Sequence, residues 1–144
     1  ETEDTAIVTL KFKSGALGVI EATTATRPAN LEGSISILGE NGTVVVGGVA
    51  VNEMKTWNFK DEQQGDLEVL ESFSVNPPNV YGFGHQAYYE HVVNCIDFES
   101  ANLVDGLQGR KSIELISAIY ESAETGKEVF LKFKPKYCRL GRKS

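Results

Sequence analysis

Val80–Lys127 reads VYGFGHQAYYEHVVNCIDFESANLVDGLQGRKSIELISAIYESAETGK, and its periodicity decides the fold class. Apolar residues recur in it at three- and four-residue spacing, in two runs. Tyr88, Tyr89, Val92, Val93 and Ile96 share one face of a helix expected from about His85 to Phe98. Leu107, Ile113, Ile116, Ile119, Tyr120 and Ala123 share the apolar face of a second, expected from about Leu107 to Thr125. Asp105 stands where an N-cap oxygen is wanted and Gly126 where the left-handed C-cap residue is wanted. A short acidic loop joins the two helices.

Outward from this stretch, nearly everything upstream reads as strand. Asp4–Phe12 alternates apolar and polar residues, Lys13-Ser14-Gly15 turns, and Ala16–Thr26 returns, which makes a hairpin. Gly33–Leu38 alternates again. The Asn41-Gly42 pair in Gly39–Gly42 is a strong hairpin signal, and Thr43–Val46 is the returning strand. Val49–Phe59 and Leu67–Phe73 supply two more strands around the polar run Lys60–Asp66. Asn76-Pro77-Pro78-Asn79 excludes helix and central strand and leads into the first helix. Glu128–Phe133 is expected as a last strand. The links are too short for crossover helices, so the pairing is mostly antiparallel. The expected architecture is α+β: an open, mostly antiparallel sheet of about six or seven strands with two main helices on one face. The other face is not polar, because Ile7 faces away from Val8, Leu10 and Phe12, and Val44, Val45 and Val46 are consecutive. A sheet apolar on both sides buries the second against a partner, so a homodimer or tetramer through that face is expected.

The 144 residues suffice for one domain with its own core. A domain at 1–133 is expected, followed by a basic tail at 134–144. From Lys132 to Ser144 there are six basic residues and no acid, against a net charge of −6 for the whole. That acidic balance argues against nucleic acid as the main partner. No apolar run approaches the roughly 18 residues of a membrane span, and no secretion leader is visible. Cys95 and Cys138 do not make a disulfide framework and are read as reduced thiols of a cytoplasmic protein.

Chemistry-bearing residues gather at the start of the first helix. Gly82-Phe83-Gly84 lacks the preceding buried strand and third glycine of a dinucleotide loop. A tight turn out of the Pro-Pro loop explains these glycines better, and helix-start amides facing an anion are the intermediate reading. His85 sits beside them, either as a ligand contact, as a general acid or base, or merely closing the first turn. Tyr88 and Tyr89 point about 100° apart on a helix, so one is expected on the sheet and the other at a cleft edge. Arg27 ends the second strand before Pro28, placed either to hold a phosphate or carboxylate or to sit exposed. His91 and Cys95 share a face, but no second ligand pair completes a metal site; His91 reads as a hydrogen-bonded, partly exposed histidine. No Ser-His-Asp, Cys-His or paired-carboxylate arrangement stands out.

The segments DTAIVTLKFKSGALGVIEATTATRP, ISILGENGTVVV, FGHQAYYEHV and LVDGLQGRKSIELISAIYESAETGKEVFL, in this order and spacing, resemble the C-terminal domain of the Gfo/Idh/MocA oxidoreductase family. The resemblance covers almost all of residues 3–131. GFGHQAYYEHV is most similar to the sugar-nucleotide branch, whose members oxidise the 3-hydroxyl of a UDP-linked N-acetylhexosamine or its uronic acid. The resemblance implies an N-terminal Rossmann domain that binds NAD or NADP, and a second domain whose open sheet packs against another subunit. The family's lysine in Glu-Lys-Pro, and the histidine and aspartate on the helix before the first hairpin, have no counterpart among these residues. The chain is therefore expected to be a truncated piece of a longer enzyme, with no catalytic residue, cofactor-binding residue or metal ligand of its own. Its lack of an initiator methionine agrees with that expectation. Tyr88 matches a family position that approaches the substrate. With His85 one turn before it and Arg27 at the strand end, it makes the expected substrate-binding set, for a sugar or UDP-sugar. A stand-alone ligand-binding or assembly module is the rival reading, and a dehydratase or reductase on another small polyol or imine keeps the fold and changes the chemistry.

Overall fold

The computed structural model describes residues 3–79 and 81–132. The order of elements is β1 (Thr5–Lys11), β2 (Leu17–Thr23), β3 (Ile35–Leu38), β4 (Gly42–Gly47), β5 (Glu53–Phe59), α1 (Asp66–Ser72), α2 (Gly84–Asp97) and α3 (Gly106–Thr125). The chain divides into two compact units. Residues up to Ile7 join 20–90 in the first, and 8–19 join the residues from His91 onward in the second.

In the first unit, β3, β4 and β5 form an antiparallel sheet in that order. The Gly39–Gly42 turn closes with Gly39 N–H donating to the Gly42 carbonyl at 2.8 Å. The turn requires glycine at position 42, because a Cβ there would lie 2.6 Å from the Asn58 carbonyl oxygen and against the Phe59 ring of β5. The β4–β5 register shifts between Val45 and Val46, leaving Lys55 unpaired in the ladder. The same unit contains α1, which packs on β5. Asp66, Val69 and Leu70 of α1 are half-buried, which is the spacing of one helical face.

The β1–β2 hairpin forms a separate two-stranded sheet. At its open end Thr24 N–H donates to the Asp4 carbonyl at 2.8 Å, and the Thr5 and Thr23 hydroxyls meet at 2.8 Å. At its tip Phe12 and Ala16 pair, and Gly15 takes φ 94°.

The second unit holds α2 from His91 onward and all of α3. Asp105 caps α3, its carboxylate accepting from Gln108 N–H at 2.8 Å, and Gly126 ends it at φ 65°. His91 and Cys95 clamp the loop between the helices. His91 Nε2 accepts from Leu103 N–H at 3.0 Å, and the buried Cys95 thiol donates to the Ala101 carbonyl at 3.6 Å.

Several expectations need correction. The α+β class holds, but the described residues carry five strands in two small sheets instead of six or seven in one, and three helices. Leu67–Phe73 is not a strand; Asp66–Ser72 is helical. Leu67, Val69, Leu70 and the glutamates Glu68 and Glu71 fit either period, and the first-turn acids Asp66 and Glu68 favour the helix. Val49–Val51 forms a turn, so β5 starts at Glu53. Glu128–Lys132 forms no strand, and Phe133 with the tail at 134–144, including Cys138, lies outside the described residues. The apolar face expected on α3 is only partly the covered one: Leu107 and Ile119 belong to it, the rest do not. Ile113, Ile116 and Tyr120 are exposed, while Leu107, Glu114, Leu115, Ala118, Ile119 and Ser122 are half-buried.

Candidate functional site

Two open clefts are present in the first unit. One, of about 390 Å³, lies beside β5 and α1 and is lined by Asn41, Trp57, Phe59, Asp61, Gln63 and Asp66. Trp57 meets Phe59 edge-on, with ring centroids 5.0 Å apart. The Asp66 carboxylate is already engaged, accepting from Gln63 N–H at 2.6 Å and from the Trp57 indole N–H at 2.9 Å. These two donors, the Gln63 amide first, hold Asp66 below the ordinary carboxylate range. The cleft's aromatic edge and its acid thus hold each other in place.

The other cleft, of about 490 Å³, lies at the start of α2 and is lined by Gly82, Phe83, His85, Gln86, Ala87 and Glu90. Its geometry begins in the loop after Pro77-Pro78. Asn79 holds two groups of the next turn: its side-chain oxygen accepts from Tyr81 N–H at 3.0 Å and its carbonyl from Gly82 N–H at 3.3 Å. Gly82 takes φ 68°, a conformation that a Cβ penalises. The turn aims the Tyr81 carbonyl at His85, whose Nδ1 lies 3.1 Å away. A carbonyl only accepts, so Nδ1 carries the proton, and a neutral His85 keeps its lone pair on Nε2. The Tyr81 ring stands edge-on to the imidazole at 6.0 Å. One turn along, Gln86 donates its side-chain N–H to Glu90 at 2.8 Å.

Of the three residues expected to contact substrate, His85 lines this cleft, whereas Arg27 and Tyr88 are not among its lining residues. Arg27 turns its guanidinium back onto its own strand end, with Nη1 donating to the Thr26 carbonyl at 2.7 Å and the Thr24 carbonyl at 3.3 Å. The Tyr88 ring meets Tyr89 at 6.4 Å and is about half exposed. The sequence reading passed over Asn79, Gln86 and Glu90. Gln86 and Glu90 are legible in retrospect as an i, i+4 pair, but on an exposed helix such a pair usually reads as solvation. His91 is half-buried and hydrogen-bonded, as expected. No group of three or more potential metal ligands occurs among the described residues, and no described helix is long and apolar enough to cross a membrane.

The described residues do not fit a dinucleotide. Both sheets are antiparallel, and Gly82-Phe83-Gly84 follows a proline loop, so the parallel strand–turn–helix unit that seats a diphosphate is missing among them.

The family model for the C-terminal alpha/beta domain of the Gfo/Idh/MocA oxidoreductase family matches residues 1–131. The solved WlbA dehydrogenase from Chromobacterium violaceum, in complex with NADH and UDP-GlcNAcA, is 44% identical with a TM-score of 0.79. That match covers 94% of this chain and 37% of the other. The WlbA dehydrogenase from Bordetella pertussis, in complex with the same two ligands, is 44% identical with a TM-score of 0.80, over 90% of this chain and 38% of that one. The chain thus spans a little more than a third of the length of these enzymes. No curated protein matches it.

Proposed function

The chain belongs to the Gfo/Idh/MocA oxidoreductase family as its C-terminal α/β domain, and from that premise we propose that it is the substrate-binding and oligomerisation domain of an NAD(P)-dependent UDP-sugar dehydrogenase. The observation that carries this is the 44% identity over 94% of the chain to a dehydrogenase solved with NADH and UDP-GlcNAcA. Identity at that level over nearly the whole chain supports a shared substrate class as well as a shared fold.

In this reading the longer parent oxidises a hydroxyl of a UDP-linked N-acetylhexosamine or its uronic acid. NAD or NADP is held mainly by its other domain. The residues described here supply the substrate side: His85 from the α2 cleft, Arg27 from the end of β2 and Tyr88 from α2. Arg27 has to leave the Thr24 and Thr26 carbonyls to meet an anionic ligand. Those bonds are exposed and worth about 1 kcal/mol each, less than a bidentate contact to a phosphate or carboxylate returns. The apolar sheet residues build the oligomer. In the same reading the parent enzyme is cytoplasmic.

The test is nicotinamide reduction by the parent protein with UDP-N-acetylhexosamines, their uronic acids and free polyols. Turnover on a UDP-sugar is expected, with KM raised by Arg27→Ala, His85→Ala and Tyr88→Phe. Turnover only on free polyols would reject the substrate class and keep the family. The purified 144-residue chain is expected to show no turnover; activity from it would contradict this assignment.

A further inference from the structure

The α2 cleft has an unusual balance of hydrogen-bonding groups once the bonds already made are subtracted. His85 spends its Nδ1–H on the Tyr81 carbonyl at 3.1 Å, which leaves Nε2. Gln86 spends a side-chain N–H on Glu90 at 2.8 Å and so turns its amide oxygen the other way. Glu90 uses one carboxylate oxygen for that bond and keeps the second. All three residues line the same cleft, which has no lysine or arginine among its lining residues. Among the described residues its side chains therefore keep three acceptors, an imidazole nitrogen, an amide oxygen and a carboxylate oxygen, against one remaining donor, the second Gln86 side-chain N–H.

Opposing this are the first-turn amides of α2, which are donors and carry roughly half a positive charge as a helix end. Glu90 contributes a full negative charge to the same cleft, so an anion gains little there. Groups that donate gain from every free acceptor.

We propose that the α2 cleft selects hydrogen-bond donors on the substrate, hydroxyl or N–H groups of the sugar nucleotide rather than its diphosphate, through His85 Nε2, the Gln86 amide oxygen and the free Glu90 carboxylate oxygen. This rests on the substrate-binding reading above and adds Gln86 and Glu90 to it as specificity residues. Asn79 and Tyr81 are positioning residues, acting through His85 by directing its Nδ1–H away from the cleft.

Glu90→Gln tests the sign. The substitution keeps shape and removes charge at an exposed position, so folding is not at risk. Binding of UDP-GlcNAcA to the longer protein is measured by calorimetry. If the cleft accepts from donors, Glu90→Gln and Gln86→Met each weaken binding about fivefold, the loss of one hydrogen bond. If the cleft faces a phosphate or carboxylate, Glu90→Gln tightens binding, and the proposal is overturned. Normal binding by the unaltered protein with no change in either variant also overturns it, while leaving the substrate-binding reading in place. No binding by the unaltered protein defeats that reading, and this inference with it. Asn79→Ala is expected to weaken binding and to disturb the His85 ring-nitrogen NMR shifts, whereas Asn79→Asp, which keeps the acceptor oxygen, restores both.

Discussion

Asp66 shows how one side chain can settle an element. Its carboxylate joins the Trp57 indole N–H on β5 to the Gln63 amide just before α1, and both bonds favour the charged form. Glu32 behaves alike: the Lys55 ammonium, then the Gly48 N–H, draws its carboxyl below the ordinary range. A carboxyl whose folded value is depressed contributes stability that is present above its unfolded value and lost as pH falls through the folded one. Both groups are open to solvent, so screening keeps the contribution small. Trp57 is the single tryptophan and reports on Asp66 directly. Its fluorescence is expected to titrate at a pH below the ordinary aspartate range. Asp66→Asn keeps an acceptor for the indole without a titrating charge, and should abolish that transition. A transition that survives in the variant would remove Asp66 as its cause.

At the scale of elements, the features that were legible in the sequence are those settled within a few residues. The Asn41-Gly42 hairpin, the Asp105 cap and the Gly126 stop all appear where the residues indicated. Asp105→Ala leaves Gln108 N–H without its cap and is expected to cost about 1 kcal/mol, read as a lower denaturant midpoint. Gly42→Ala forces β4 and β5 apart at Asn58 and Phe59, and is expected to cost about 1–3 kcal/mol by the same measurement. The element that was misread, α1, is seven residues long, too short for either period to assert itself. Its first-turn acids favour the helix, and Asp66 reaching Trp57 nine positions away, a contact that no local pattern encodes, anchors it on β5. The site divides the same way. His85 stood out by residue type and place, whereas Gln86 and Glu90 became informative only once the atoms they had already committed were known.

For the whole molecule, the exposed apolar surface is the dominant fact. Ile7 is 72% exposed, Val19 71%, Ile37 61% and Ile116 54%, while Cys95 is buried at 6% and no large side chain among the described residues is fully buried. Apolar area of that extent favours association at about 25 cal/mol per Å² removed from water. The chain is expected to be a dimer or larger at micromolar concentration in light scattering; a monomer there would reject the sheet-face oligomer. Paired charge substitutions such as Ile7→Lys with Val19→Glu should dissociate it if β1–β2 supplies the interface. The sequence by itself determined the α+β class, the limits of α2 and α3, the hairpins and the family, because periodicity, caps and turn residues act over a few bonds and need no neighbour. Tertiary structure decided that residues 66–72 are held as helix and which face of α3 is covered. Each of those depends on which partner a group has already taken, and partners far along the chain are chosen only when it folds.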